Sequence, residues 1–301
     1  MGLVALSTIG SAMAAEPLNV VASFSILGDM TQRIGGERIQ VHTLVGPDAD
    51  AHVFQPTPAD AKTLARAKLV VVNGFGFEGW ITRLVKSSGY RGTVLTASTG
   101  IKTLKSEESH DDHDEHDEHD KHGHGGDIDP HAWQDLSNAL VYVDNIARAL
   151  ANIDPEGKAS YLSNAEKYKR EISQLDGEIR KALAAVAAEK RKVITSHDAF
   201  RYFSRAYGMK FIAPLGINTE AEASAADIGR IIQQIRREKI PAVFIENISD
   251  PRLLERIRKE SGARIGGTLF SDALSKADGQ APSYLEMMRY NARTLAAALI
   301  D

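Results

Sequence analysis

The chain alternates between short runs of β-branched residues and stretches with helical periodicity, and this pattern restricts the fold more than any other feature. A β-α-β-α order is typical of a mainly parallel sheet that helices cover on both faces. Strands are predicted at residues 19–25, 39–45, 69–73 and 93–96, and again at 192–196, 211–215, 242–246 and 264–269. We therefore predict an α/β protein with two lobes of mainly parallel sheets flanked by helices.

A long helical stretch separates the two blocks of strands. Asp154 followed by Pro155 is a typical helix start, and helical periodicity continues almost to Lys190. A helix of about 35 residues would extend roughly 50 Å. One long rigid helix is thus expected to join the lobes. The predicted organisation is an N-terminal lobe at 16–153, a flexible loop at 100–128 within it, a linking helix at 154–190 and a C-terminal lobe at 191–301.

The first fifteen residues have the composition of a secretory signal peptide. Residues 3–15 are apolar or small, and Ala12-Met13-Ala14 fits a cleavage signal with small residues around the cut. No Lys or Arg precedes the apolar part, which departs from the usual pattern. The alternative is a buried N-terminal helix. The stretch is too short for a membrane span, and the mature protein is expected to be soluble.

Composition excludes several kinds of chemistry. The chain has no cysteine, so disulfides, thiolate zinc fingers and thiol nucleophiles are impossible. The formal net charge is -4. The sequence has no basic patch of the kind that would indicate nucleic-acid binding. Any metal site must therefore use His, Asp, Glu or backbone oxygen atoms.

Residues 110–124 read HDDHDEHDEHDKHGH, a density of imidazole and carboxylate that is typical of contact with divalent metal. The run is expected either to capture zinc weakly and pass it on, or to receive zinc from a metallochaperone. The plainer alternative is a solvated charge run with incidental metal affinity. Its candidate accessory ligands are His110, His113, His116, His119, His122 and His124.

Four histidines lie outside this run. His42 falls inside a predicted strand and is expected to face solvent or to pack. His52, His131 and His197 instead lie where loops begin or end, as does Asp272, and ligands of open α/β sheets bind at such places. Three neutral imidazoles and one carboxylate suit tetrahedral Zn²⁺, so their grouping is a geometric hypothesis.

Four segments resemble a known family, the metal-specific periplasmic solute-binding proteins of ABC importers (the ZnuA/TroA group), and within it AztC-type zinc binders. They are residues 45–60 (VGPDADAHVFQPTPAD), 129–133 (DPHAW), 196–200 (SHDAF) and 268–272 (TLFSD). Residues 73–80 (NGFGFEGW) and 218–224 (NTEAEAS) are further similar stretches. Ala51 is a departure, because the family often has proline there.

The resemblance implies two α/β lobes joined by one rigid helix, with Zn²⁺ between them on His52, His131, His197 and Asp272. Members selective for manganese tend to have a carboxylate at the third position, so His197 favours zinc. The implied protein is a monomer that delivers zinc to the membrane permease of an ABC importer. The lack of cysteine indicates a free periplasmic protein without a lipid anchor. The alternatives are a manganese-binding member of the family, a secreted zinc hydrolase, or a metal buffer or adhesin in which only the His-rich loop matters.

The hydrolase alternative finds little support in the sequence. The chain contains neither HExxH nor GxSxG, and four protein ligands would close the metal to substrate. We therefore predict that the chain is not an enzyme. Four acidic residues are candidates for orienting ligands or lining the cleft, although each also fits a plain structural role near a helix start: Glu78, Asp129, Glu220 and Glu222.

Overall fold

The computed structural model describes residues 16–105, 128–217 and 219–300. Its N-terminal lobe is built on a parallel sheet with strand order β2-β1-β3-β4. The strands are β1 (Leu18–Phe24), β2 (Ile39–Val45), β3 (Leu69–Val72) and β4 (Thr93–Thr96), and the helices are α1 (Ser25–Gly35), α2 (Pro58–Ala65), α3 (Ile81–Ser88) and α4 (Leu136–Ile153). All four residues of β3 are buried, as expected for a central parallel strand with helices on both faces.

The C-terminal lobe repeats this arrangement with a second parallel sheet, ordered β6-β5-β7-β8. Its strands are β5 (Lys192–Ile194), β6 (Lys210–Ile212), β7 (Ala242–Glu246) and β8 (Arg264–Leu269). Its helices are α6 (Arg201–Tyr207), α7 (Ala225–Glu238), α8 (Arg252–Ser261) and α9 (Tyr284–Ile300). The predicted class, two helix-flanked parallel sheets, is confirmed.

The long helix α5 (Lys158–Ala184) has 27 residues and is about 40 Å long. It packs against α1 and α4 of the first lobe and against α6 and α9 of the second. The helical stretch predicted at 154–190 continues past the observed C-terminal end of α5 at Ala184. Residues Pro155–Gly157 form a separate helical turn, and Arg191 donates hydrogen bonds to the carbonyls of Ala184 and Val186 just beyond the C-terminal end.

A short turn separates His131 from the helix that precedes α5. Helix α4 begins only at Leu136. Ala132–Gln134 form a separate short turn, and the Asp135 side chain accepts a hydrogen bond from the N–H of Ser137 to cap α4. The break leaves His131 on an irregular segment before the helix.

A single apolar core runs through both lobes. It extends from β1 and β3 through α4 and α5 to Phe200, Phe244 and Leu269 of the second lobe. A second, isoleucine-rich cluster lies under α7 and α8 on the outer side of the second sheet. Because the main core is shared, α5 is firmly packed against both lobes.

Both sheets point the carboxyl ends of their strands toward one cleft. In each sheet the first strand in sequence lies between the second and the third, so the chain changes direction beside it. Such a switch point is where open α/β sheets bind ligands. None of the described helices combines the length and apolar character needed to cross a membrane. The predicted domain limits stay predictions.

Candidate metal centre

Four side chains from both lobes converge in the cleft: His52, His131, His197 and Asp272. Each offers one ligand atom, and these atoms all lie within 4.8 Å of one another. All four residues are buried, and even the most accessible, His52, is only 7% exposed. The structure thus brings together the set that the sequence suggested.

The spacing of the ligand atoms matches a small tetrahedral ion. The Nε2 atoms of His52 and His131 are 3.4 Å apart, and Nε2 of His197 is 3.1 Å from Oδ2 of Asp272. Oδ2 of Asp272 also lies 3.3 Å from Nε2 of His52, and Oδ1 of Asp272 lies 3.5 Å from Nε2 of His131. A tetrahedron with Zn–N bonds of about 2.0–2.1 Å has edges of roughly 3.3 Å. These distances are close to the edges of a tetrahedral zinc site.

One buried oxygen supports the same interpretation. Oδ1 of Asp272 is fully buried and makes no standard hydrogen bond among the described residues, and its contact with Nε2 of His131 is 3.5 Å long. A buried carboxylate oxygen without a full hydrogen bond is costly, and a bound ion is one way to satisfy it. The donor set of three imidazoles and one carboxylate is chemically suited to zinc.

Glu246, the last residue of β7, holds His197 in place. Its Oε1 accepts hydrogen bonds from the N–H groups of Ser196 and His197, at 2.7 and 2.9 Å. Its Oε2 lies 2.6 Å from Nδ1 of the His197 ring, a close contact that is not aligned as a standard hydrogen bond. The carboxylate fixes the ring so that Nε2 faces the cleft.

Asp129 does the same for His131. Its Oδ1 accepts from the His131 N–H at 2.9 Å and lies 2.8 Å from Nδ1 of the ring. The turn after His131 is tied to the other lobe, because Trp133 Nε1 and Gln134 Nε2 both donate to the carbonyl of Ser271, next to Asp272. Among the four predicted supporting acids, the structure therefore places Asp129 directly on a candidate ligand.

The loop that carries His52 is held by its backbone. The His52 N–H donates to Oδ1 of Asp50 at 2.8 Å, and the Trp80 indole donates to the carbonyl of Ala51 at 2.8 Å. The His52 ring meets Phe77 edge-on, with centroids 4.7 Å apart. Packing, rather than a carboxylate, thus orients this ring in the described part of the chain.

The ionisable side chains of the cleft shift one another's pKa values. Burial alone would raise the pKa of Asp272, but the facing His131 and His197 rings outweigh it and hold that pKa well below its usual value. Burial likewise opposes protonation of His131, yet Asp272 and Asp129 raise its pKa to about 9. Burial also opposes protonation of His197, but Glu246 and Asp272 raise its pKa well above its ordinary value. A metal ion needs neutral imidazoles, so its binding displaces protons.

Glu78 is linked to a candidate ligand through other residues. Its carboxylate is buried between two strand ends, where it accepts from Ser23 Oγ at 2.6 Å and from the N–H of Asn73 at 2.6 Å. Burial raises its pKa. Asn73 in turn donates to the carbonyl of Pro130 at 2.9 Å, next to His131. Glu78 therefore supports the backbone around a candidate ligand rather than the ring itself.

The remaining predicted residues lie elsewhere. Glu220 and Glu222 are exposed, and Glu222 lines a cavity of about 540 Å³ beside the cleft together with Asp50 and Thr219. His42 is exposed on β2, as predicted. The signal-peptide prediction and the six histidines of residues 110–124 fall outside the described residues. Lys105 and Ile128, which flank that run, pair as an antiparallel bridge.

Sequence reasoning missed Glu246. It lies 49 residues after His197 in the chain, and only the pairing of β5 with β7 brings the two together. A signal was present, since AVFIE is a buried strand that ends in a carboxylate at the ligand-binding edge of the sheet. A charged residue at that position of a parallel strand is expensive unless it has a partner.

Comparison with known proteins gives a family match over most of the chain. The sequence matches the family described as zinc-uptake complex component A, periplasmic, over residues 20–298. The manganese ABC transporter substrate-binding lipoprotein PsaA of Streptococcus pneumoniae is 33% identical, over 99% of this chain and 94% of its own. The iron-binding protein YfeA of Yersinia pestis is also 33% identical, over 94% of this chain and 86% of its own.

Solved structures agree with the sequence matches. The periplasmic zinc-binding protein TroA from Treponema pallidum superposes with a TM-score of 0.85, at 27% identity, covering 95% of this chain and all of that one. The Mn-bound periplasmic metal-binding protein from Candidatus Liberibacter asiaticus gives 0.80 at 31% identity, covering 94% of this chain and 99% of the other. The matched family consists of substrate-binding components of ABC transporters, not enzymes.

The names of these relatives bear on two further expectations. Several relatives are called lipoproteins, so the expectation of a protein without a lipid anchor has no support from them. Their named metals are manganese, iron and zinc. Closeness to AztC-type binders stays a prediction.

Proposed function

Because the chain belongs to the zinc-uptake component A family of periplasmic metal-binding proteins, we propose that it binds Zn²⁺ tightly and delivers it to an ABC importer. The proposed ligands are Nε2 of His52, His131 and His197 and the carboxylate of Asp272. Zinc is the cargo of the protein, held between the lobes until the protein docks on the membrane permease. We further propose that the protein works as a monomer.

The convergence of three ring nitrogens and one carboxylate carries this proposal. Four protein ligands complete a tetrahedral shell, so no coordination position stays open for a substrate. A catalytic zinc usually has three protein ligands and a water, which this donor set does not leave room for. A closed, buried site is suited to retaining an ion during transfer.

Manganese is the second candidate metal, because a relative is named for it. Relatives named for manganese and iron share a third or less of their residues with this chain. Imidazole suits zinc, whereas carboxylate, carbonyl and water oxygens suit manganese. Three imidazoles in a set of four therefore favour zinc.

The His-rich run is proposed as an accessory element. Six imidazoles and seven carboxylates within fifteen residues offer many weak ligands for a divalent ion. Lys105 and Ile128, which lie on either side of the segment that contains the run, pair as a bridge, and Ile128 is three residues before His131. Zinc captured there, or received there from a periplasmic metallochaperone, would enter the chain close to a ligand of the central site.

A competition titration tests the central proposal. Residues 16–301 would be titrated with Zn²⁺ and Mn²⁺ against chelators of known affinity, alongside His197→Ala and the control His42→Ala. We expect one tight zinc site, weaker manganese binding, and loss of zinc affinity by more than about 100-fold in His197→Ala only. Zinc should also raise the melting temperature of the unsubstituted protein and of His42→Ala. Equal zinc affinity in all three proteins would overturn the assignment, and tighter manganese binding would establish the second candidate.

A further inference from the structure

Helix α6 joins the two halves of the proposed site. It begins at Arg201, four residues after His197, and therefore belongs to the C-terminal lobe. One face of α6 lies against the N-terminal lobe, beside the bridge between Lys105 and Ile128. Two residues on this face, Arg201 and Tyr202, contact backbone atoms of the other lobe.

Tyr202 makes the most informative of these contacts. The side chain is fully buried, and its hydroxyl accepts a hydrogen bond from the N–H of Leu104 at 3.0 Å. The same hydroxyl donates to the carbonyl of Asp129 at 3.1 Å. Leu104 and Asp129 are themselves joined, because the Asp129 N–H donates to the Leu104 carbonyl at 2.9 Å. One hydroxyl of the C-terminal lobe thus satisfies two backbone groups of the N-terminal lobe.

The path continues from this backbone to a ligand. Asp129 is the residue whose carboxylate holds the ring of His131. Displacing the Asp129 backbone would therefore move the carboxylate that orients this imidazole. Only the Asp129 residue separates the Tyr202 hydroxyl from the ring of His131.

Neighbouring contacts hold Tyr202 in position. Arg205, one turn further along α6, lies over the Tyr202 ring at 5.1 Å from its centroid. The same guanidinium lies 3.2 Å from the carboxylate of Asp135, which caps α4 of the N-terminal lobe. Arg201 donates to the carbonyl of Lys105 at 2.6 Å. The contacts between α6 and the N-terminal lobe are therefore polar and directional, and they lie next to His131.

We propose that Tyr202 is a positioning residue that slows metal release by fixing, from the C-terminal lobe, the Asp129 segment that orients His131. The inference rests on the proposed metal site. Release of the ion requires His131 to leave its ligand position, and the two hydrogen bonds of the hydroxyl hold the Asp129 segment against that displacement. Losing them would remove the hydroxyl donor from the buried Asp129 carbonyl. The hydroxyl is not a ligand, so it makes no direct contact with an arriving ion. The residue therefore acts on the dissociation rate.

The test compares Tyr202→Phe with Tyr207→Phe in the full chain. Tyr207 is a matched control, since it lies on the same helix and its hydroxyl donates to Asp176 of α5 instead. Zinc release into excess chelator is followed by stopped flow, and binding is followed in parallel. We expect release about ten-fold faster in Tyr202→Phe, association within about two-fold of the unsubstituted protein, and no change in Tyr207→Phe.

A spectroscopic measurement separates positioning from a general loss of stability. Co²⁺ replaces Zn²⁺ and reports ligand geometry through its visible absorption. Tyr202→Phe should shift or weaken these bands, whereas Tyr207→Phe should leave them unchanged. If Tyr202→Phe does not fold, Arg205→Met removes the cation–π contact that holds the ring and should speed release by about two- to five-fold.

The outcomes distinguish the two proposals. Tight zinc binding with equal release rates and equal Co²⁺ spectra in both tyrosine variants would overturn the role of Tyr202 and leave the metal site standing. For Arg205→Met, an unchanged release rate would overturn it likewise. Absence of a tight site in the unsubstituted protein would overturn the proposed function, and the role of Tyr202 with it.

Discussion

Both lobes place a buried glutamate where neighbouring strands of a parallel sheet diverge, yet the two glutamates serve the cleft differently. Glu246 binds the N–H groups of Ser196 and His197 and also contacts the His197 ring. Glu78 binds Ser23 and the N–H of Asn73, and it reaches His131 only through Asn73 and Pro130. Glu246 is the last residue of its strand, whereas Glu78 lies six residues after the end of β3. Two buried glutamates near strand ends thus give direct support in one lobe and backbone support in the other.

The difference follows from where each lobe carries its ligands. In the C-terminal lobe His197 comes three residues after the end of β5, and a carboxylate at the end of the adjacent β7 reaches its ring. In the N-terminal lobe His131 lies in an irregular segment between β4 and α4, and its ring is held by the nearby carboxylate of Asp129. Strand-end geometry therefore decides whether the carboxylate at the switch point is available to a ligand.

Among the supporting residues, the largest expected effect comes from Glu246→Gln. The amide keeps the shape of the side chain but presents an NH₂ group to N–H donors or to the His197 ring. We expect zinc affinity to fall by about 10–100-fold, because residues that orient metal-binding histidines typically have effects of this size. Chelator competition measures the change. An affinity within two-fold of the unsubstituted protein would show that Glu246 does not orient His197.

Asp129→Asn is the counterpart in the N-terminal lobe. Oδ1 makes both contacts to His131, while Oδ2 is buried without a hydrogen bond among the described residues. An asparagine can keep its oxygen on His131 and turn its NH₂ group to the other side. We therefore expect a loss of about ten-fold, the lower end of the range for such residues. A loss as large as that of Glu246→Gln would mean that the two supports are equivalent.

Glu78→Gln should separate stability from binding. The carboxylate accepts several hydrogen bonds in a buried position, and an NH₂ group facing those donors leaves at least one of them unpaired. We expect the metal-free protein to lose about 1–3 kcal/mol of unfolding free energy in urea titration. Zinc affinity should change by less than about three-fold, since no ligand is touched. A larger loss of affinity with unchanged stability would contradict the indirect role.

Replacing residues 106–127 with Asn-Gly should have the smallest effect on the central site. Lys105 and Ile128 are bridge partners, and a two-residue turn suits an antiparallel pair. We expect fewer weakly bound zinc ions by equilibrium dialysis, but one tight site of unchanged affinity. Loss of the tight site would indicate that the metal-binding site of the protein is the His-rich run and not the cleft.

Much of this arrangement is readable from the sequence. The alternation of strands and helices predicts both sheets, because parallel strands that are buried on both faces need apolar β-branched runs. The placement of His52, His197 and Asp272 after strands, together with a family resemblance, identifies the residues that the structure brings together. The exposed position of His42 also follows from its place in a strand.

The supporting residues were harder to predict because their contacts join distant parts of the chain. Glu246 and Tyr202 look like an ordinary strand end and an ordinary helix aromatic until β5, β7 and α6 are packed together. The C-terminal end of α5 was predicted wrongly for a related reason. Periodicity continued past Ala184, but Arg191 binds carbonyls near that end, and periodicity cannot report such a contact.

The central claim is that zinc in this protein has three imidazole ligands and one carboxylate ligand from two lobes. X-ray absorption spectroscopy of the protein lacking residues 106–127, loaded with one equivalent of Zn²⁺, tests it most directly. We predict a four-coordinate shell at about 2.0–2.1 Å with the multiple scattering of three imidazoles. A six-coordinate oxygen-rich shell, or fewer than three imidazoles, would contradict it.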